Sequence, residues 1–377
     1  MDSQENKSNS WKKLKENLMK EYFFVDKVEK SRKLRPEICL IVLREVVDPV
    51  LARSSDPERA ELFIVRTKVK DDKGNETEKE IVRARINGEK FTSAERLTGL
   101  NICRILDQIT KAKEEDKDTW SIISPNYLYN EISGGLQEAL NPDTVTYGAA
   151  GVEKGETFSI KSRVIEGYTY TLEPYNLLNK EQHNALYETG TMTKVGSEEE
   201  GTEGEQGRGL YAHVNIEPPT KMVHFVRIEA PTPEMFLYVL YNILNTTTYF
   251  ARSTRKGSIR NRILGVIFSK TAIGLSSGEL IKEHFSDSSN IKNEYTNAEV
   301  IEAIKKYVDA HKNVYWKIMW NEDEDFKVLI DPLIKVALLK DESSKEIMRE
   351  ALVELTTQSK QAYKPPEKES KSKPKSK

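Results

Sequence analysis

Residues 222–268 decide how the chain is read: MVHFVRIEA, then PTP, EMFLYVLYNILN, TTTYFARSTRKGSIRNR and ILGVIF. The first piece has strand composition. Thr232 followed by Pro233 predicts a helix start, a capping hydroxyl before a ring that suits the first helical position. Met235, Phe236, Val239, Leu240, Ile243 and Leu244 then fall on one helical stripe. The closing apolar run fits a strand covered on both faces. The whole is a strand–helix–strand crossover with an unusually basic second connection. There Arg252, Arg255, Lys256, Arg260 and Arg262 stand among Ser, Thr and Gly, with almost nothing apolar to bury.

Working outward, EICLIVLREVV (residues 37–47) predicts a central strand, and LARSSDPER after it offers Arg53 and Arg59 as exposed cations. Residues 61–86 predict a hairpin. Phe63, Val65, Thr67 and Val69 alternate on one face of its first strand, and Val82, Ala84 and Ile86 on one face of its second. Arg66, Lys68 and Lys70 are expected on the opposite face with Arg83 and Arg85, either simply solvated or tracking phosphates. Thr92 with Glu95 reads as a capping box. The helix after it is expected to bury Leu97, Ile102, Ile105, Leu106 and Ile109. Strand, hairpin and helix, mirrored by the later crossover, predict an α+β fold. Its core is ferredoxin-like, the arrangement shared with RNA-recognition motifs.

The domain reading follows. Residues 1–36 form an N-terminal segment, 37–119 the first half of the core and 222–290 the second. Residues 120–221 form a large insertion with a flexible acidic loop at 196–209. Residues 291–363 are C-terminal helices, and 364–377 a basic tail that either solubilises the chain or adds nonspecific attraction to nucleic acid.

Composition bounds the function. The 377 residues carry 37% apolar and 31% charged side chains with a net charge of −2, so a nucleic-acid surface must be a local patch. Cys39 and Cys103 lie in apolar runs and read as buried thiols, not as a disulfide or zinc framework. No signal peptide or membrane span is expected, which implies a cytoplasmic protein. The five histidines are scattered, and no nucleophile or phosphate-loop motif occurs. Binding has more support than catalysis, and no cofactor is expected. Lys161, Ser162 and Arg163 precede Tyr168, Tyr170 and Tyr175, which read as stacking platforms for single-stranded nucleic acid.

The run EAPTPEMFLYVLYNILNTTTYFARSTRKGSIRNRILGVIFS resembles the repeating backbone subunit of type I-D CRISPR effector complexes. ICLIVLREVVDPVL, PDTVTYGAAG and KSRV resemble it in the same order, over most of residues 37–285, whereas the part from about 290 onward matches nothing recognised. The resemblance implies a palm with inserted finger and thumb elements. It also implies copies stacked head to tail along one crRNA, beside other type I-D subunits, presenting the guide to a target DNA strand or RNA. Together with charge it nominates Arg44, Arg53, Lys68, Arg83, Arg85, Lys161, Arg163, Arg252, Arg255, Lys256 and Arg260 as nucleic-acid contacts. Related subunits of type III complexes cut RNA with an Asp after the first strand. One alternative is therefore metal-dependent cleavage of the target single strand through Asp48, against a reading of Asp48-Pro49 as a turn or strand terminator; another is a stand-alone single-stranded RNA-binding protein that does not oligomerise.

Overall fold

A computed structural model describes residues 9–21, 24–31, 35–53, 60–70, 76–113, 121–129, 135–153, 156–175, 181–182, 213–250, 257–287 and 291–363. The expectations for the acidic loop at 196–209 and for the basic tail lie outside them.

The centre is a five-stranded antiparallel sheet. β1 (Glu37–Asp48) lies between β10 (Lys221–Glu229) and β11 (Ser258–Ser269), with β6 (Val164–Glu166) outside β10 and β12 (Trp316–Trp320) outside β11. β1 alternates between two cores. Ile38, Leu40 and Val42 face one cluster, and Cys39, Ile41 and Leu43 the other. That double burial is why the strand reads as a continuous apolar run and not as an alternation.

On the first face lie α3 (Glu89–Lys113) and α6 (Pro233–Asn245), with α1 (Asn9–Glu21), α9 (Glu324–Ala337) and α10 (Glu342–Ala362) packed against α6. Thr232 caps α6, its hydroxyl accepting from the Met235 amide at 3.3 Å. Every residue from Pro233 to Ile243 is buried, so the expected stripe widens to the whole circumference. Sheet on one side and four helices around the rest leave α6 no wet face. Gly99 of α3 makes the closest of these crossings, since a Cβ there would run into the Tyr238 hydroxyl and Asn242 of α6. Two acids tie the layer further: Lys15 of α1 reaches the buried Glu234 at 2.6 Å and also pairs with the partly exposed Glu354 of α10.

The second face is covered by α7 (Ser277–His284) and α8 (Asn297–His311). Among the described residues, both faces of the central sheet are thus covered.

β2 (Glu61–Lys70) and β3 (Glu76–Ile86) form the expected hairpin, extended by β7 (Thr169–Tyr170) into a separate three-stranded sheet. Its register corrects the predicted faces. Phe63 pairs with Arg83 and Val65 with Ile81, whereas Arg66, Lys68 and Lys70 pair with Glu80, Glu78 and Glu76. Directly paired positions share a face, so by register positions 66, 68 and 70 fall with positions 76, 78, 80, 82 and 84, and Arg83 and Arg85 go with Phe63. Among the described side chains, Arg66 shares its face with Glu78 and Glu80, and Arg83 and Arg85 share theirs with Glu61.

Three other expectations change. α3 starts at Glu89, so Thr92 is inside the helix and donates back to Gly88 O at 3.1 Å; there is no capping box. Leu100, Ile102, Cys103 and Leu106 form its buried side, while Ile105 and Ile109 are exposed. β12 interrupts residues 291–363, where only helices are expected. In the insertion, short elements are formed: α4 (Leu136–Ala139), α5 (Pro142–Tyr147), the pair β4 (Ala149–Glu153) and β5 (Glu156–Ile160), and the pair β8 (Glu181–Gln182) and β9 (His213–Val214). Near the N-terminus, α2 (Val28–Ser31) packs on α10.

Candidate nucleic-acid interface

The basic connection between α6 and β11 springs from a fixed stem. Ile259 N donates to Thr247 O at 2.8 Å, and Thr248 bridges Ser258. Gly257 lies against Pro49 O and Val50 so closely that a Cβ would collide with both. Arg252, Arg255 and Lys256 themselves lie outside the described residues. The stem puts their connection at the Asp48 end of β1.

Beneath the stem sits a buried polar cluster built by β1, α3, β10 and β11. Arg44 Nη1 donates to Glu95 Oε1 at 2.8 Å, Tyr249 Oη at 3.1 Å and Asn261 Oδ1 at 3.1 Å. Its guanidinium lies 4.2 Å over the Phe91 ring. Asn261 Nδ2 is close enough to donate to Ile243 O, Thr246 O and Tyr249 Oη, at 2.8, 3.0 and 2.7 Å. One amide therefore fastens the chain before the basic connection to the chain after it. Phe91 packs edge-on against both Tyr249 and Phe250, and Phe250 takes a left-handed φ of 66°.

The charge states in this cluster follow from geometry. Arg44 Nε donates to His224 Nδ1 at 3.1 Å, so His224 carries its proton on Nε2, which faces Gly167 O at 3.2 Å. Burial, and then Arg44, push this imidazole well below its usual range. Glu166 lies 4.0 Å from it, but a neutral ring gives that carboxyl no ion pair. Burial, followed by the charge of Glu95, pushes Glu166 well above the carboxylate range. Burial works against the charge on Arg44, and Glu95, Tyr249 and Glu166 together more than offset it. The expectation that Arg44 contacts nucleic acid is thereby corrected, because the side chain is fully buried and committed to four partners. It braces the stem.

Beside the stem the surface is basic. Arg260, 61% exposed, lies 3.7 Å from Glu45, and Arg262 lies 3.2 Å from the same carboxylate. Two guanidiniums share one acid, leaving a net positive charge next to the connection. Arg53 is half-buried nearby on the chain after β1. Asp48 is exposed at the end of β1, opposite Ser258. The metal-competent side-chain group found among the described residues, Glu279, Glu283 and His311, does not include it.

Lys161 and Arg163 are elsewhere. Lys161 is 66% exposed and pairs with Glu229 at 2.6 Å, where Arg35 also reaches at 2.9 Å. Burial acts to raise the Glu229 carboxyl, but Lys161 and then Arg35 hold it below its usual range. Arg163 is 5% exposed, its backbone bonded to Thr146 O and to the Glu229 amide, both at 2.8 Å. Glu229 faces Glu37 in register, at the other end of β1 from Asp48. Eleven strand steps at ~3.3 Å place the two expected basic clusters about 35 Å apart. They do not form one patch.

On the hairpin, Arg83 is fully buried and donates to the carbonyls of Thr171 at 3.1 Å, Leu172 and Phe285. It too is a brace and not a contact. Arg85 is 37% exposed, bonds Glu61 at 2.9 Å and lies 5.0 Å over the Tyr168 ring. The Lys68 side chain lies outside the described residues. Of the three tyrosines read as platforms, Tyr168 is 45% exposed, whereas Tyr170 packs on Phe63 and Tyr175 is buried. Arg35 and the cluster of Glu95, Glu166, His224 and Tyr249 went unforeseen in sequence. The one signal for the latter was a lone Arg inside an apolar strand, which demands a buried anion.

Comparison with known proteins gives one decisive match. The Csc2 CRISPR family model matches residues 64–349. The match begins after β1 and runs into the C-terminal helices, so these helices belong to the family pattern, contrary to the reading that it stops near 290. No curated protein sequence matches the chain. Among solved structures, the crystal structure of Thermofilum pendens Csc2 aligns at 18% identity over 86% of this chain and 90% of that one, with a TM-score of 0.48. A chain of a Type IV-B CRISPR complex aligns at 14% identity over 64% and 93%, with a TM-score of 0.30. A chain of a CRISPR RNA-guided surveillance complex in a pre-nicking state aligns at 9% identity over 80% and 100%, with a TM-score of 0.42.

Proposed function

The chain belongs to the Csc2 CRISPR family, and from that premise we propose that it is the backbone subunit of a type I-D CRISPR interference complex. In this reading several copies lie along one crRNA, grip its backbone and present it for pairing with a target DNA strand, beside the other subunits of the complex. The role is structural and requires no catalytic step from this chain.

The observation that carries the reading is the rigid stem formed by Thr247, Thr248, Gly257, Ser258 and Ile259, with Arg260 exposed and Arg262 partly exposed beside it. Sequence-independent binding of a nucleic-acid backbone needs cations held in place, and the Arg44–Asn261 cluster supplies the hold. The core supports the same reading. The order β11-β1-β10-β6, with α3 between β1 and β6 and α6 between β10 and β11, supports a ferredoxin-like palm. Helices cover both sheet faces, so contact falls to the sheet ends and loops. Two basic regions at opposite ends of β1 fit a subunit that meets the guide at one end and a neighbouring copy's guide segment at the other.

The test is the salt dependence of single-stranded RNA binding. Replacing Arg260 and Arg262 together by Ala removes exposed groups and should flatten the slope by roughly 0.7 log unit per lost contact. An unchanged slope with an unchanged affinity removes the stem from the interface.

A further inference from the structure

We infer that Glu279, Glu283 and His311 form a binding site for one divalent transition-metal cation of the zinc type. The three offer ligand atoms within 4.8 Å of one another. Glu279 and Glu283 are one turn apart on α7, and so project from the same side of it. His311 is the last residue of α8, the neighbouring helix. His311 Nε2 lies 3.9 Å from Glu279 Oε1 and 3.8 Å from Glu283 Oε1. These separations are too long for hydrogen bonds. They suit three donors around one ion, each bonded at about 2.0–2.2 Å.

Tyr307, one turn before His311, prepares two of the ligands. Its carbonyl lies 2.9 Å from His311 Nδ1, and a carbonyl only accepts, so the ring proton sits on Nδ1. The Nε2 lone pair is then turned toward the two carboxylates. The Tyr307 hydroxyl accepts from Ser276 N at 3.0 Å and donates to Glu279 Oε2 at 2.9 Å, leaving Glu279 Oε1 for the ion. Tyr307 is fully buried and its ring packs 4.4 Å from the imidazole, so both orientations are anchored in the core. This is the outer-shell arrangement that metal-ligating histidine and carboxylate require. At the rim, Glu283 Oε2 lies 3.8 Å from His284 Nε2.

The donor set selects the ion class. One imidazole nitrogen with two carboxylate oxygens favours zinc, cobalt or nickel over calcium or magnesium, which prefer oxygen alone. Three protein ligands leave one tetrahedral position for water. Bound metal would clamp α7 to the end of α8, the two helices that cover the second face of the sheet. The site is independent of RNA binding and is read without it.

The experiment is titration of the metal-stripped full-length protein with cobalt(II), followed by zinc competition, beside thermal unfolding with and without zinc. The wild type, Glu283→Gln and His311→Gln are compared; both side chains are partly exposed, and the thermal unfolding without zinc checks that each variant keeps the fold. Saturable one-to-one binding with visible cobalt bands, a zinc-dependent rise in Tm, and a loss of affinity of tenfold or more in each variant are expected. If the variants bind like wild type, the metal lies elsewhere and the assignment is overturned. It is equally overturned if His311 behaves as a protonated partner of the two carboxylates and ignores added zinc.

Discussion

Arg44 Nη1 lies 2.8 Å from Glu95 Oε1, and neither side chain is exposed at all. The pair joins the central strand to α3 under the stem of the basic connection. A buried ion pair of this kind contributes little relative to well-packed apolar groups, but removing one partner strands the other's charge in the core.

Arg44→Ala or Glu95→Ala should each lower unfolding free energy by about 3–5 kcal/mol. Arg44→Ala with Glu95→Ala should lose far less than the sum of the two single changes. Urea unfolding of the four proteins measures both. Strict additivity would mean that the two groups do not act as a pair.

Much of this architecture is legible in the chain. The Thr232-Pro233 start, the apolar stripe of α6 and the doubly buried runs of β1 and β11 are local signals, and each appears where its residues predict. Roles that depend on distant partners are not legible. Arg44 and Arg83 read as surface cations because nothing nearby in sequence shows that Glu95 or the Leu172 and Phe285 carbonyls will meet them. The faces of the hairpin were misjoined because register is set by the turn and the pairing, not by either strand's own alternation. The placement of Lys161 and the stem near opposite ends of β1, roughly 35 Å of strand, is invisible until the strands are paired.

Glu173 should make stability depend on pH. It is fully buried, with Oε2 accepting from the Lys221 amide at 2.8 Å and Oε1 3.4 Å from the Tyr295 amide. Burial outweighs the Lys221 amide and charge and pushes its carboxyl up to about 7. The folded chain therefore holds this proton more tightly than the unfolded one. The stabilising contribution is complete below the unfolded value near 4.5 and declines as pH rises to about 7, by up to about 3 kcal/mol. The Tm difference between Glu173→Gln and wild type should shift in favour of Gln across that window. A difference independent of pH would contradict this assignment.

Gly99→Ala should destabilise the helical layer by about 1–3 kcal/mol, since the added methyl meets Tyr238 and Asn242 and one helix must move. Chemical denaturation measures it. A neutral substitution would show that α3 and α6 are not packed this closely.

Lys161→Ala should flatten the salt dependence of single-stranded RNA binding only in assemblies of several copies, because Lys161 is remote from the stem. The slope of a single copy on a short RNA should stay as in wild type. Equal loss in both settings would place Lys161 and the stem in one patch, against the geometry of β1.

The most direct test of the backbone reading is the native mass and nucleic-acid content of the protein purified from cells expressing a CRISPR array. The account predicts a ladder of multimers on RNA of uniform guide size. A monomer without RNA that also ignores single-stranded RNA at low salt would contradict it.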